Sequence, residues 1–196
     1  MTSDSSIVAT PSTSSGLSEP EGATPVARYV ISPERSHVWI DARSNVHPIH
    51  SGTDGLEGYV ELTFAAAGAV DLTSQPAGAL SLSVDKLSSG KRMEDRELHK
   101  RIDSRRYPTI EGVMTQVKPH EGDSSYLVTG EVTFRGVSLP HEDVMVIRAV
   151  DDHTISLEGS SRFDIREFGM QPPKVLMLKV EPEVDIRVEI FAVKDS

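Results

Sequence analysis

The sequence predicts an all-β protein, an antiparallel barrel of about eight strands carrying one short helical insert. Three observations lead there. Nearly every readable segment alternates apolar and polar residues with the period of a strand. Clusters of Gly, Pro, Asn, Asp and Ser punctuate those segments at short intervals. One stretch, LSLSVDKLSSGKRMEDRELHKRIDSRRYPTIEGV at 80–113, breaks the alternation with the chain's single convincing helix. Runs of strands with short turns belong to sandwiches or barrels. Eight strands can close without leaving an edge and still hold one small ligand; alternation alone fits either architecture.

Residues 1–27 hold eleven Ser/Thr, three Pro, three acids and no Lys or Arg. Such a stretch buries too little apolar surface to offset its ordering entropy, so a disordered tail is expected, with the barrel domain at 28–194. Val38, Ile40 and Ala42 alternate with Trp39, Asp41 and Arg43 in a half-buried strand. Beyond the turn-rich SNVHPIHSGTDG, Val60, Leu62 and Phe64 alternate with Tyr59, Glu61 and Thr63. The connection AAAGAVDLTSQPAG leads to Leu80, Leu82 and Val84, and then to the helix. Ser88 or Ser89 is its expected N-cap, and Tyr107-Pro108 its stop. A strand of undetermined phase holds Ile110, Met114 and Val117, and HEGDS is a hairpin turn. Tyr126, Val128, Val132 and Phe134 share a face, and RGVSLP leads into a strand holding Val144 and Val146. Asp151-Asp152 turns into Ile155, Leu157, Gly159 and Phe163; Val184, Ile186, Val188 and Ile190 form the last strand.

Composition bounds the function. A chain of 196 residues fits one domain with a real core. With no cysteine there are no disulfides, thiolate metal sites or thiol nucleophiles. A net charge of −10 argues against a nucleic-acid partner, which needs a broad Lys/Arg surface. No apolar run approaches the roughly 20 residues of a membrane-spanning helix. MTSDSSIVAT has neither the basic start nor the apolar core of a secretory signal, so a cytoplasmic location is expected. No motif calls for a cofactor, and the sequence leaves monomer and homodimer open.

The series ERSHVWIDA, LEGYVELTF, LSVDKLSSGKRMEDRELHKRIDSRRYP, YLVTGEVTFRGVSLP, REFGM and VEPEVDIRVEIF resembles the YceI-like, lipocalin-like family over about residues 28–193. Asp95, Leu98, Ile102-Asp103 and Tyr107-Pro108 resemble its helix-to-strand passage. Val128-Thr129-Gly130 through Gly136-Val137 and Pro140 resembles its hairpin signature, and Phe168-Gly169 a third signature. None of these motifs is catalytic. The resemblance implies an extended barrel with a helical flap over an apolar cavity. It also implies a binder of polyisoprenoid or another long-chain lipid, acting as carrier or sequestering protein and not as an enzyme.

Candidate residues follow from the inward phases. Val38, Ile40, Val60, Leu62, Phe64, Leu80, Leu82, Val84, Leu98, Ile102, Ile110, Val132, Phe134, Leu157 and Phe163 are expected around a lipid tail. The competing expectation is that they fill the interior by packing on one another. From Lys86 to Arg106 eight Lys/Arg face four acids, a local +4 that leaves −14 for the remainder. Lys91, Arg92 and Arg96 are the expected contacts of an anionic head group; the alternative is a solvated face with pairs such as Glu97–Arg101. His47 and His50, with Asp54 or Glu57, offer a weak metal-site pattern and so a metal-dependent enzyme as rival function. Ser51 beside His50 and Asp54 suggests a triad, without any nucleophile-elbow motif in support. A second rival is an interaction domain with a filled core. Met93, Leu98 and Ile102 are expected on the helix's inner face.

Overall fold

The computed structural model describes residues 26–195 except 67, 173, 176 and 177, with backbone alone at 174, 175 and 178. The Ser/Thr-rich tail lies outside the described residues. β1 (Ala27–Ile31) and β2 (His37–Ser44) run end to end along β11 (Leu178–Lys194), separated by a 3-10 turn at Pro33–Arg35. β3 (Ile49–Thr53) returns beside β2, and β4 (Leu56–Leu62) beside β1. Then follow β5 (Ala77–Ser83), α1 (Arg92–Ile102), β6 (Thr109–Pro119), β7 (Ser125–Phe134), β8 (Val137–Ala149), β9 (Thr154–Asp164) and the short β10 (Lys174–Val175).

All the pairings are antiparallel, and β1 bonds both β4 and β11. That double pairing closes β1, β4–β9 and β11 into an eight-stranded barrel, with β2 and β3 as an extension of its wall. The predicted class therefore holds, and the expected sandwich alternative falls away. No described helix is long and apolar enough to cross a membrane.

Two local features explain where period-two reading loses its phase. On β6 the inward residues are Ile110, Gly112 and Met114, then Val117. Met114 opposes Gly130 but Gln116 opposes Thr129, so Thr115 is a bulge residue and the alternation flips there. Gly130 permits the close approach of the two strands: a Cβ on it would stand 2.3 Å from the Val113 carbonyl oxygen. β7 and β8 are joined by Arg135-Gly136, both at positive φ (49° and 75°), the conformation of a two-residue hairpin loop.

β8 is longer than expected and has the opposite phase. Its inward residues are Leu139, His141, Asp143, Met145 and Ile147, while Val144 is exposed. Its ladder to β9 runs only from Met145–Gly159 to Ala149–Ile155. Beyond that the two strands part, and Ser161 Oγ reaches His141 Nε2 at 2.7 Å as a side-chain link across the gap.

The barrel interior is not uniform. Toward β1 it is filled: Leu56, Leu62, Ile147, Ile155 and Ile190 are at most 2% exposed. Tyr126 accepts a hydrogen bond from the Val70 N–H at 2.8 Å, closing that end. Val38, Val60, Leu82, Val84 and Leu157 are buried in this packed part, and Phe64 and Leu80 lie half-buried against it.

Candidate functional site

The other half of the barrel is hollow. A cavity of about 460 Å³ lies between β2, β3, the upper ends of β6, β7, β9 and β11, the 165–170 loop and α1. Its walls come from alternate residues of each strand: Ile40 and Ala42, Ile49 and Ser51, Ile110, Val132 and Phe134, Phe163, then Val180, Val184 and Ile186. Phe134 and Phe163 each approach Phe168, with centroids 5.7 and 6.2 Å away, forming an aromatic corner. Phe168 and Met170 are buried because the REFGM turn folds inward, with Gly169 at φ 69° making the reversal.

α1 forms the roof. Leu98 and Ile102, one turn apart, face the cavity, and Ile102 is the helix's one fully buried residue. Met93 also lines the mouth yet is 84% exposed, so it sits on the rim instead of the expected inner face. The helix is held at both ends by side chains. At its start, neither serine caps it: Lys91 occupies the N-cap position with no side-chain bond. Instead Ser88 Oγ, Ser89 N–H and Ser89 Oγ all donate to the Asp95 carboxylate, at 2.8, 2.6 and 2.7 Å. Burial pushes the Asp95 carboxyl up; the Ser89 and Ser88 hydrogen bonds and the nearby His99 outweigh it, leaving the group below the ordinary carboxylate value. His99 Nε2 lies 2.9 Å from the Leu87 carbonyl oxygen. At the C-terminal end, Arg135 Nε donates to the Ile102 carbonyl at 3.3 Å.

The expected tail residues divide between the two halves. Ile40, Leu98, Ile102, Ile110, Val132, Phe134 and Phe163 are brought together around the cavity. Val38, Val60, Leu62, Phe64, Leu80, Leu82, Val84 and Leu157 stand outside its lining, in or against the packed half. Of the expected head-group cations, Lys91, Arg92 and Arg96 are exposed and off the lining. Sequence reasoning missed the charged groups that line it among the described residues: Glu94, Asp95, Glu97 and Arg101. Glu94, Asp95 and Arg101 stand three or four residues from Leu98, and Glu97 one turn before Arg101, so the spacing carried the signal of the helix face that Leu98 and Ile102 place inward.

The histidine loop comes apart. His47 Nδ1 lies 2.9 Å from the Pro48 carbonyl oxygen, while His50 Nδ1 lies 2.6 Å from Asp41 Oδ1. Asp54 pairs with His37 instead, and no group of three metal-ligating side chains is found among the described residues. Ser51 faces the cavity and His50 the opposite side of the strand, so His50, Ser51 and Asp54 form no triad. A different trio, which sequence reading did not find, lies behind the cavity wall. His141 Nε2 is 2.5 Å from Asp143 Oδ2 and 2.7 Å from Ser161 Oγ, and the ring stacks on Phe163 at 4.3 Å. Both partners contact the same ring nitrogen, whereas a nucleophilic triad needs them on opposite nitrogens. The arrangement fixes Phe163 rather than activating Ser161.

A closed antiparallel barrel, hollow at one end with apolar walls and a helical roof, is the architecture of the small-molecule-binding barrels. The model of the YceI-like domain matches residues 29–192, and the chain belongs to that family. Among solved structures it is similar to Burkholderia cenocepacia BcnA, with TM-score 0.68, 17% identity and coverage of 83% of this chain and 99% of that one. It is also similar to a polyisoprenoid-binding domain from Saccharophagus degradans implicated in plant cell wall breakdown, with TM-score 0.67, 10% identity and coverage of 87% and 100%. The Campylobacter jejuni YceI protein follows at TM-score 0.60 and 12% identity, covering 78% and 88%. No curated protein matches the chain.

Proposed function

We propose that this protein binds an amphiphile with an apolar tail, of isoprenoid or similar type, and carries or sequesters it. The observation that supports this reading is the cavity of about 460 Å³ with apolar walls beneath α1. Apolar space of this size is costly to leave wet and unoccupied, and each methylene moved into it from water contributes about 0.8 kcal/mol. Ile40, Ile110, Val132, Phe163, Val184 and Ile186 would hold the tail, with Leu98 and Ile102 above it. Family membership and the likeness to a polyisoprenoid-binding domain support the same reading. Catalysis is no part of it. The test is organic extraction of freshly purified full chain followed by mass spectrometry, then reloading of the stripped protein. A stoichiometric single-tailed lipid that rebinds supports the proposal. Stripped protein that takes up no apolar-tailed molecule overturns it.

A further inference from the structure

We propose that the outer face of α1 is a membrane-docking surface, which seats the roofed end of the barrel on a bilayer rich in anionic lipid. Docking rests on charge and exposure alone. What it serves, exchange of a tail with the bilayer, rests on the tail-binding reading.

The helix divides its charges by face. Glu94, Asp95 and Glu97 are half-buried and line the cavity, whereas Arg92, Met93, Arg96 and Lys100 are exposed. At 3.6 residues per turn Met93, Arg96 and Lys100 lie opposite Leu98 and Ile102. Past the helix Arg105 and Arg106 are exposed too, and the one exposed acid from 91 to 106 is Asp103. Ion pairing does not cancel this charge. Lys91 pairs with Glu94 at 2.9 Å and Arg101 with Glu97 at 2.7 Å, which leaves Arg92, Arg96 and Lys100 without a carboxylate among the described residues. Elsewhere exposed arginines are neutralised locally: Arg28 by Glu61, Arg162 by Asp185 and Arg166 by Asp164.

The segment from Lys86 to Arg106 carries +4 against −14 for the remainder, so the roof is the positive pole of an acidic protein. Each Lys or Arg brought to an anionic bilayer strengthens binding by about fivefold. The acidic barrel, held back by the width of a helix, about 10 Å, is largely screened from that surface. Met93 makes lipid, and not an acidic protein, the favoured partner. It is 84% exposed, more than any other exposed large hydrophobic among the described residues, and it lines the rim of the cavity. An unbranched apolar side chain flanked by Arg92 and Arg96 can enter the headgroup layer while the guanidiniums meet lipid phosphates. In that pose a tail passes between bilayer and cavity without exposing its methylenes to water.

The experiment is co-sedimentation of the full chain with sucrose-loaded vesicles, either phosphatidylcholine alone or phosphatidylcholine and phosphatidylglycerol in equal parts. The anionic vesicles are expected to carry the protein down, the neutral ones to leave it in solution, and salt raised to about 1 M to release it. Arg92→Glu with Arg96→Glu should weaken vesicle binding by about twentyfold or more, and Met93→Ser by about threefold or more. Arg96→Gln with Lys100→Gln, which removes charge without reversing it, should cost about tenfold. Lys118 and Lys194 are exposed near the ends of β6 and β11 away from the roof. Lys118→Glu with Lys194→Glu makes the same change in net charge as the Arg92 and Arg96 pair, and should leave binding within about threefold. The proposal is overturned by protein that ignores anionic vesicles, binds neutral ones equally, is indifferent to Met93→Ser, or loses as much through the Lys118 and Lys194 pair. Retention on polyglutamate through the same arginines, without vesicle binding, also overturns it and gives the face to an acidic protein. Stripped protein that takes up no tail yet still sediments with anionic vesicles overturns the tail-binding reading and leaves the docking face standing.

Discussion

Arg135 and Gly169 meet at the mouth of the barrel, where Arg135 Nη1 donates to the Gly169 carbonyl at 2.6 Å. The same guanidinium donates through Nε to the Ile102 carbonyl at the end of α1. One side chain from the β7–β8 turn thus ties the helix to the loop that carries Phe168 and Met170, two walls of one cavity.

Removing that tie has an expected cost. Arg135→Met loses charge-assisted hydrogen bonds that are partly open to water, so urea unfolding should show a loss of about 1–2 kcal/mol. Because Ile102 and Phe168 both line the cavity, bound ligand should also dissociate faster. Unchanged stability and unchanged dissociation would show that the mouth is held by something else.

Asp95 anchors the opposite end of α1. Its carboxyl lies below the ordinary value of 3.8 in the folded protein. A depressed carboxylate stabilises the fold above its unfolded value, and the contribution disappears as pH falls through the folded one. Asp95→Asn should therefore be less stable than wild type at neutral pH, and the gap should close below pH 3.8. Thermal melts across that range check it; a gap independent of pH contradicts the anchoring role.

The two halves of the barrel should respond oppositely to substitution. Leu157→Ala empties space in the packed half and should cost about 2–5 kcal/mol while leaving ligand affinity nearly unchanged. Ala42→Trp projects bulk into the cavity and should abolish ligand uptake at a much smaller cost in stability. Unfolding curves and ligand titrations on both variants make the comparison.

The exposed cations of α1 give a fourth test. Arg92 and Arg96 face solvent away from the lining, and exposed charges contribute at most about 1 kcal/mol. Arg92→Glu with Arg96→Glu should change ligand affinity by less than about threefold at physiological salt. A much larger loss confined to anionic ligands would restore these residues as head-group contacts.

How much of this was legible follows from what sets each feature. The alternation of Val60 and Leu62, or of Val184 to Ile190, is written in the sequence because one face of those strands meets an apolar core. The phase of β6 was not, because the bulge at Thr115 is a property of its pairing with β7. β8 misled more directly. Its inner face carries His141 and Asp143 where the strands part, while Val144 points outward, so hydrophobicity marks the wrong side. Inward phase also says nothing about whether facing walls touch. Leu62 and Val132 read alike in the sequence, yet one is packed and the other lines a void. The charges on α1 were visible as a set, but their assignment needed the helix's rotation, which Leu98 and Ile102 fix by their burial.

Methyl-resolved NMR of isoleucine, leucine and valine side chains tests the central claim most directly, by titrating stripped protein with farnesol. The account predicts intermolecular contacts and shift changes at Ile40, Ile110, Val132 and Ile186, with Leu62, Ile155 and Leu157 unmoved. Contacts spread through the packed half, or confined to the outer surface while the cavity methyls stay silent, would contradict it.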